Sequence, residues 1–282
     1  MPMRIDSHQH YWSIARGDYG WLTPETGVLY RDYLPEDLES SLAACGIDGT
    51  IVVQAAQTLE ETEYLLALAD RTPSILGVVG WLDLRDSAWR EHQERFGRHA
   101  KYVGFRVMIQ EMADSAEVLT EPYVEALKTC AELDIPVDLL VRSHQLGDLV
   151  ALLERVPGLR GVVDHLAKPP IASGVLDPWA GQMAAIAAHP KIACKLSGMV
   201  TEAKPYRWTP ADFAGYVGRV LEAFGPNRVM FGSDWPVCLL GAGSYAQVVE
   251  LLDGLLTERG LGADERDAIY GGNAARFYKL RV

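Results

Sequence analysis

Short apolar runs rich in β-branched residues recur eight times along the chain, at residues 4–10, 50–55, 75–82, 102–108, 136–141, 161–165, 191–196 and 228–233. Several are nearly continuous, such as Val137-Asp138-Leu139-Leu140-Val141, which is the pattern of strands buried on both faces in a parallel sheet. Helical patterns lie between them. Thr58 and Glu61 form a capping box that opens a helix over 58–69, and Ser244 with Gln247 repeats the motif. Thr209-Pro210 places a cap residue before a proline at a first helical position. Tyr123, Leu127, Cys130 and Ala131 share one helical face.

Strand and helix thus alternate about once every 32 residues, which leaves a closed barrel or an open doubly wound sheet. No GxGxxG or GxxxxGK[ST] follows the first strand, so the barrel is favoured. The 282 residues suit a single (β/α)8 TIM-type barrel, and no composition shift divides residues 1–282 into smaller domains. The net charge of −12 argues against nucleic acid or an anionic membrane as partner. No apolar run approaches the length of a membrane span and no signal peptide is visible, so a cytoplasmic protein is expected. The four cysteines form no CxxC pair and read as free thiols. A homo-oligomer remains open.

Three strand ends carry chemistry. His8 and His10 are two apart on the first strand, so both imidazoles share a face and suit a divalent metal. The eighth strand ends in Gly232-Ser233-Asp234-Trp235-Pro236. Barrel closure would bring Asp234 beside the histidine pair as a metal ligand, a general base or both. The sixth strand ends in His165, which could polarise a carbonyl, shuttle a proton or ligate metal.

These motifs, with Asp164-His165-Leu166-Ala167-Lys168-Pro169 and Lys195-Leu196-Ser197-Gly198, resemble the amidohydrolase superfamily, whose barrel is a distorted one. Within it the chain is similar to the amidohydrolase 2 group and its sugar-lactone hydrolases, which open lactones such as L-fuconolactone or L-rhamnonolactone. The resemblance runs from about Met3 to Phe277. It departs where binuclear relatives carry a bridging lysine on strand four and a histidine on strand five, since Gly104-Phe105-Arg106-Val107-Met108 and Asp138-Leu139-Leu140-Val141-Arg142 stand there. One divalent cation, expected to be zinc, would therefore sit on His8, His10 and Asp234, with His165 or water completing the shell; relatives also imply that the metal is dispensable.

The expected reaction is attack of water on the carbonyl of a small-molecule lactone, with Asp234, His165 and Arg106 catalytic. Gln54, Trp81, Arg106, His144, Lys195 and Trp235 are the expected substrate contacts, because a sugar offers hydroxyls and an apolar face. The competing expectations are a pyrone-dicarboxylate hydrolase or metal-dependent decarboxylase on the same barrel, and a non-catalytic barrel that binds sugar or metal.

Overall fold

The computed structural model describes residues 2–281. Eight parallel strands follow one another in chain order around a barrel: β1 Ile5–Gln9, β2 Gly49–Val53, β3 Ile75–Trp81, β4 Tyr102–Met108, β5 Val137–Leu140, β6 Gly161–Val163, β7 Ile192–Leu196 and β8 Val229–Phe231. The helices between and after them are α1 Pro35–Cys45, α2 Leu59–Arg71, α3 Trp89–Gly97, α4 Glu121–Glu132, α5 Leu146–Arg155, α6 Trp179–Ala187, α7 Pro210–Phe224, α8 Tyr245–Glu258, α9 Ala263–Asp267 and α10 Asn273–Phe277. Each strand lies within one of the eight expected runs, with β2 beginning one residue earlier. Closure comes from backbone bonds just past β8: His10 N–H donates to the Trp235 carbonyl at 2.7 Å and Asp234 N–H to the His8 carbonyl at 2.8 Å.

Alternation along the strands sorts the apolar side chains. Val52, Val78, Phe105, Leu139 and Phe231 pack in the layer shared with the helices. Ile5, Ile51, Val53, Val79, Val162 and Met230 form a separate cluster with Ala274 and Tyr278, so the C-terminal segment plugs the barrel at one end. The interior positions nearer the strands' C-terminal ends are polar, and Arg106, Asp138, Asp164 and Lys195 are all buried there.

One irregularity decides the site. Asp6 pairs with Thr50 but Gln9 pairs with Val52, so three steps on β1 face two on β2. Strict alternation from the inward Ile5 would have turned His8 toward the helices. The bulge at Ser7–His8 turns it inward, and His10 with it. The buried Asp6 carboxylate holds this shape, accepting from His8 N–H at 3.1 Å, Ser233 N–H at 2.9 Å and the Tyr245 hydroxyl at 3.1 Å. Burial pushes this carboxyl up to about 6 against those three donors.

The helix caps follow the sequence with two corrections. Thr58 and Ser244 accept from Glu61 N–H and Gln247 N–H, and Asp212 accepts from Thr209 N–H. The Gln247 side chain accepts from Gly243 N–H at 2.8 Å and so does not complete the Ser244 box. Nor does Glu61 complete the Thr58 box. Its buried carboxylate instead accepts from Ala55 N–H and Ala56 N–H, holding the loop after β2 against α2. The loop's donors would otherwise be buried and unpaired, and that outweighs a reciprocal cap. The four cysteines are free thiols. Among the described residues no helix is long and apolar enough to cross a membrane.

Burial pushes the Glu61 carboxyl up from 4.5 to about 7. A raised folded pKa means that folding takes up a proton, so this stabilising contribution is complete below about pH 4.5 and lost as pH rises through 7. In urea unfolding series, Glu61→Gln is expected to lose less stability than the native protein between those two values. Parallel stability–pH curves would show that Glu61 titrates as an exposed carboxylate.

Candidate active site

The strand ends surround a cavity of about 490 Å³ lined by His10, Arg106, His165, Lys168 and Asp234, with Trp21, Gln57 and Met108 among its walls. Asp234 follows β8 in the left-handed region, φ 57°, which swings its carboxylate across the barrel mouth. Its Oδ1 lies 3.3 Å from His10 Nε2 and 3.9 Å from both His8 Nε2 and His165 Nε2. Burial raises the pKa of this carboxyl, but His165, His10 and Lys168 outweigh burial and hold it below the ordinary value. It is ionised at neutral pH.

Each histidine is oriented from behind. His10 Nδ1 lies 2.8 Å from the Val53 carbonyl, which makes it the protonated nitrogen and leaves a lone pair on Nε2. His8 Nδ1 lies 3.2 Å from both Asp164 Oδ1 and the Lys195 ammonium, which fix the ring from behind. His165 Nδ1 lies 2.8 Å from Ser197 Oγ. Burial drives the pKa values of His8 and His165 well below the ordinary histidine value, so both rings are neutral.

The donor set fits a divalent cation. One ligand atom each from His8, His10 and Asp234 lies within 4.8 Å of the others, and all three residues are buried. Neutral imidazoles held by a carboxylate or carbonyl on their far nitrogens, with an ionised carboxylate between them, are what such an ion requires. His8, Asp164 and His165 make a second such group. Asp164, however, is taken up by Arg106 at 3.4 Å and Lys195 at 3.1 Å, so the first set is the better cradle.

Two glycines make room for these side chains. A Cβ on Gly198, at φ 59°, would fall 2.6 Å from His165 Nδ1 and 3.1 Å from Asp234 Oδ2. One on Gly232 would fall 2.7 Å from the His8 Cβ.

The expected catalytic group comes together: Asp234, His165 and Arg106 all line the cavity. The Arg106 guanidinium also donates to the Gln54 carbonyl and to Asp164. The expected substrate contacts fare differently. Gln54 is fully buried, meets Arg106 through its backbone and does not line the cavity. Trp81 opens instead on a neighbouring 240 Å³ cleft that shares Gln57, Met108 and Glu111 with the main one. His144 is exposed outside the cavity. Trp235 is buried edge-on against Tyr11 and against Tyr33, which stands in the loop before α1.

Lys195 is a support rather than a contact. It has no exposed surface, pairs with Asp138 and Asp164, and lies 3.2 Å from His8 Nδ1. The Tyr278 hydroxyl donates to the other oxygen of Asp138 at 2.7 Å. In the sequence no site-building role is legible for Asp6 or Asp138, and Asp164 and Ser197 stand only as parts of motifs. For Asp138 the signal is a polar residue inside an otherwise apolar strand. Lys168, three residues after His165, also lines the cavity.

Residues 5–280 match the amidohydrolase family. The chain belongs to that family. It is similar to two curated proteins described as L-fucono-1,5-lactonase. The one from Burkholderia ambifaria is 40% identical, the alignment covering 99% of this chain and 97% of the relative. The one from Burkholderia multivorans is also 40% identical, over 99% and 96%. A crystal structure of a Burkholderia multivorans amidohydrolase with bound zinc superposes with a TM-score of 0.92 at 40% identity, over 99% of each chain. This amidohydrolase thus has the barrel expected of it.

Removing the Lys195 ammonium would leave two buried carboxylates facing each other. Lys195→Met is expected to lower the unfolding free energy by about 3–5 kcal/mol in urea titrations. Unchanged stability with a raised KM would return Lys195 to the role of a substrate contact.

Proposed function

We propose that this amidohydrolase hydrolyses an aldonolactone, with L-fucono-1,5-lactone as the first substrate to test. The observation that carries the reading is the ionised Asp234 carboxylate, 3.3 Å from His10 Nε2, at the floor of a cavity that Arg106 and His165 also line. The two full-length relatives with lactonase names support the choice of substrate.

Asp234 takes a proton from water as the water oxygen bonds to the lactone carbonyl carbon. Negative charge then builds on the carbonyl oxygen, where the Arg106 guanidinium and a His165 N–H are the available donors. As the carbon–ring-oxygen bond breaks, protonated Asp234 returns its proton to the departing oxygen. The products are the open-chain acid and its new hydroxyl, and the carboxylate is restored. His8, His10 and Asp234 would hold a divalent cation, expected to be zinc, whose contribution when bound is to polarise the carbonyl and acidify water. Gln57 and the indole of Trp21 stand where the sugar's hydroxyls and apolar face would lie. A cytoplasmic location and function as a single barrel domain, alone or as a homo-oligomer, belong to the same proposal.

A dicarboxylated pyrone fits less well. It would need several unpaired cations, whereas Arg106 is engaged by Asp164 and Arg142 stands exposed outside the cavity, which leaves Lys168.

Asp234→Asn is expected to lower kcat on the best lactone about 10³-fold in a pH-indicator assay while the fold, read by circular dichroism, persists. Near-native kcat in this variant would remove Asp234 as the base. Lactone esters need less activation than amides, so exhaustively chelated protein is expected to keep measurable turnover. Complete loss, restored by zinc, would make the cation essential.

A further inference from the structure

The barrel interior carries three cations close to the reaction centre, and two are engaged by carboxylates. Lys195 lies between Asp138 and Asp164, and Arg106 contacts Asp164. The third, Lys168, lines the cavity beside His165 and Asp234 yet makes no side-chain hydrogen bond or close ion pair among the described residues. The charged groups it faces are Asp234, Glu202, Arg142 and Arg106. Partial burial without a partner is costly for an ammonium, and burial lowers its pKa accordingly.

The backbone that carries it is built for the purpose. His165, Leu166, Ala167 and Lys168 all occupy the left-handed region, with φ of 55°, 53°, 58° and 48°. Each such residue costs about 1–2 kcal/mol, so the turn persists only because its surroundings impose it. Leu166 and Ala167 are fully buried, the Trp179 indole donates to the Leu166 carbonyl at 2.7 Å, and Lys168 N–H donates to the His165 carbonyl at 2.8 Å. The result places residues three apart, His165 and Lys168, on the same cavity.

From this placement we propose that Lys168 is a further catalytic residue, whose ammonium stabilises the negative charge that water attack puts on the lactone oxygens. The inference rests on the lactonase reading above. In the resting site the Asp234 carboxylate balances Lys168 at long range. When Asp234 accepts water's proton it becomes neutral, and the charge reappears on the substrate. No bond to Lys168 forms or breaks, and it remains an ammonium throughout. An unpaired cation is therefore more valuable in the transition state than in the ground state, which acts on kcat rather than KM.

The test is steady-state hydrolysis of L-fucono-1,5-lactone by the full chain, with native protein, Lys168→Met, Lys168→Gln and Lys168→Arg side by side. Removing the charge is expected to lower kcat roughly 100-fold with KM within about threefold, as for loss of one oxyanion donor. Arginine should restore at least about a tenth of the native kcat, since it keeps the charge. Urea unfolding identifies a variant that has lost its fold, and Lys168→Gln gives an independent reading if Lys168→Met is one. Native-like kcat in the neutral variants, or a loss confined to KM, would overturn the role of Lys168 while leaving the lactonase intact. Absence of lactone hydrolysis by the native protein would overturn the lactonase reading and this inference together.

Discussion

The buried carboxylate of Asp6 is the contact on which the site depends. It accepts from His8 N–H two residues ahead and from Ser233 N–H across the seam of the barrel. The first bond shapes the bulge that turns His8 and His10 inward, and the second sets the end of β8 against β1. Asp234 follows immediately, with its own N–H on the His8 carbonyl. One side chain thus shapes the His8–His10 pair and brings Asp234 to it. Its cost is a carboxylate kept out of water, which three donors offset.

Behind the reacting groups lies a ladder of buried charge. Tyr278 donates to Asp138, Asp138 pairs with Lys195, Lys195 with Asp164, and Asp164 with His8 and Arg106. Each acid is matched by a donor, which keeps so many ionic groups tolerable in a barrel interior. Lys195, Arg106 and His8 together hold Asp164 well below the ordinary carboxylate pKa despite its burial. Asp164 and Lys195 each lie 3.2 Å from His8 Nδ1 and 3.1 Å from one another, so the orientation of the His8 ring follows from the ladder behind it. The ladder begins in the C-terminal plug, which makes that segment part of the foundation of the site as well as of the core.

The loops add a second kind of order. Glu61 pins the turn after β2, and the Trp21 indole donates to the Ala55 carbonyl at 2.8 Å, so the first two loops form one wall of the cavity. The β6 loop forms another through its left-handed turn. Both walls rest on side chains that bind backbone, Glu61 and Trp21 in the first and Trp179 in the second.

The eight strands, their parallel arrangement and the polar strand ends at His8, His10, His165 and Asp234 could be read in the sequence. Each rests on local periodicity and on the chemistry of short motifs, which neighbouring residues alone determine. Side-chain direction beyond the strand ends could not be read in this way. Alternation alone would send His8 outward, and only the bulge held by Asp6 reverses it. Trp235, Gln54 and Lys195 have the chemistry of substrate contacts, but their surroundings come from residues far away in the chain: Tyr33 for Trp235, Arg106 for Gln54, Asp138 and Asp164 for Lys195. Lys168 is the converse case, a surface-type residue that a strained turn brings into the cavity. Which polar groups stand at the strand ends was therefore largely set by the chain's own pattern. Which of them face the substrate and which brace the others was decided by long-range pairing of buried charge, and that exists only once the barrel is closed.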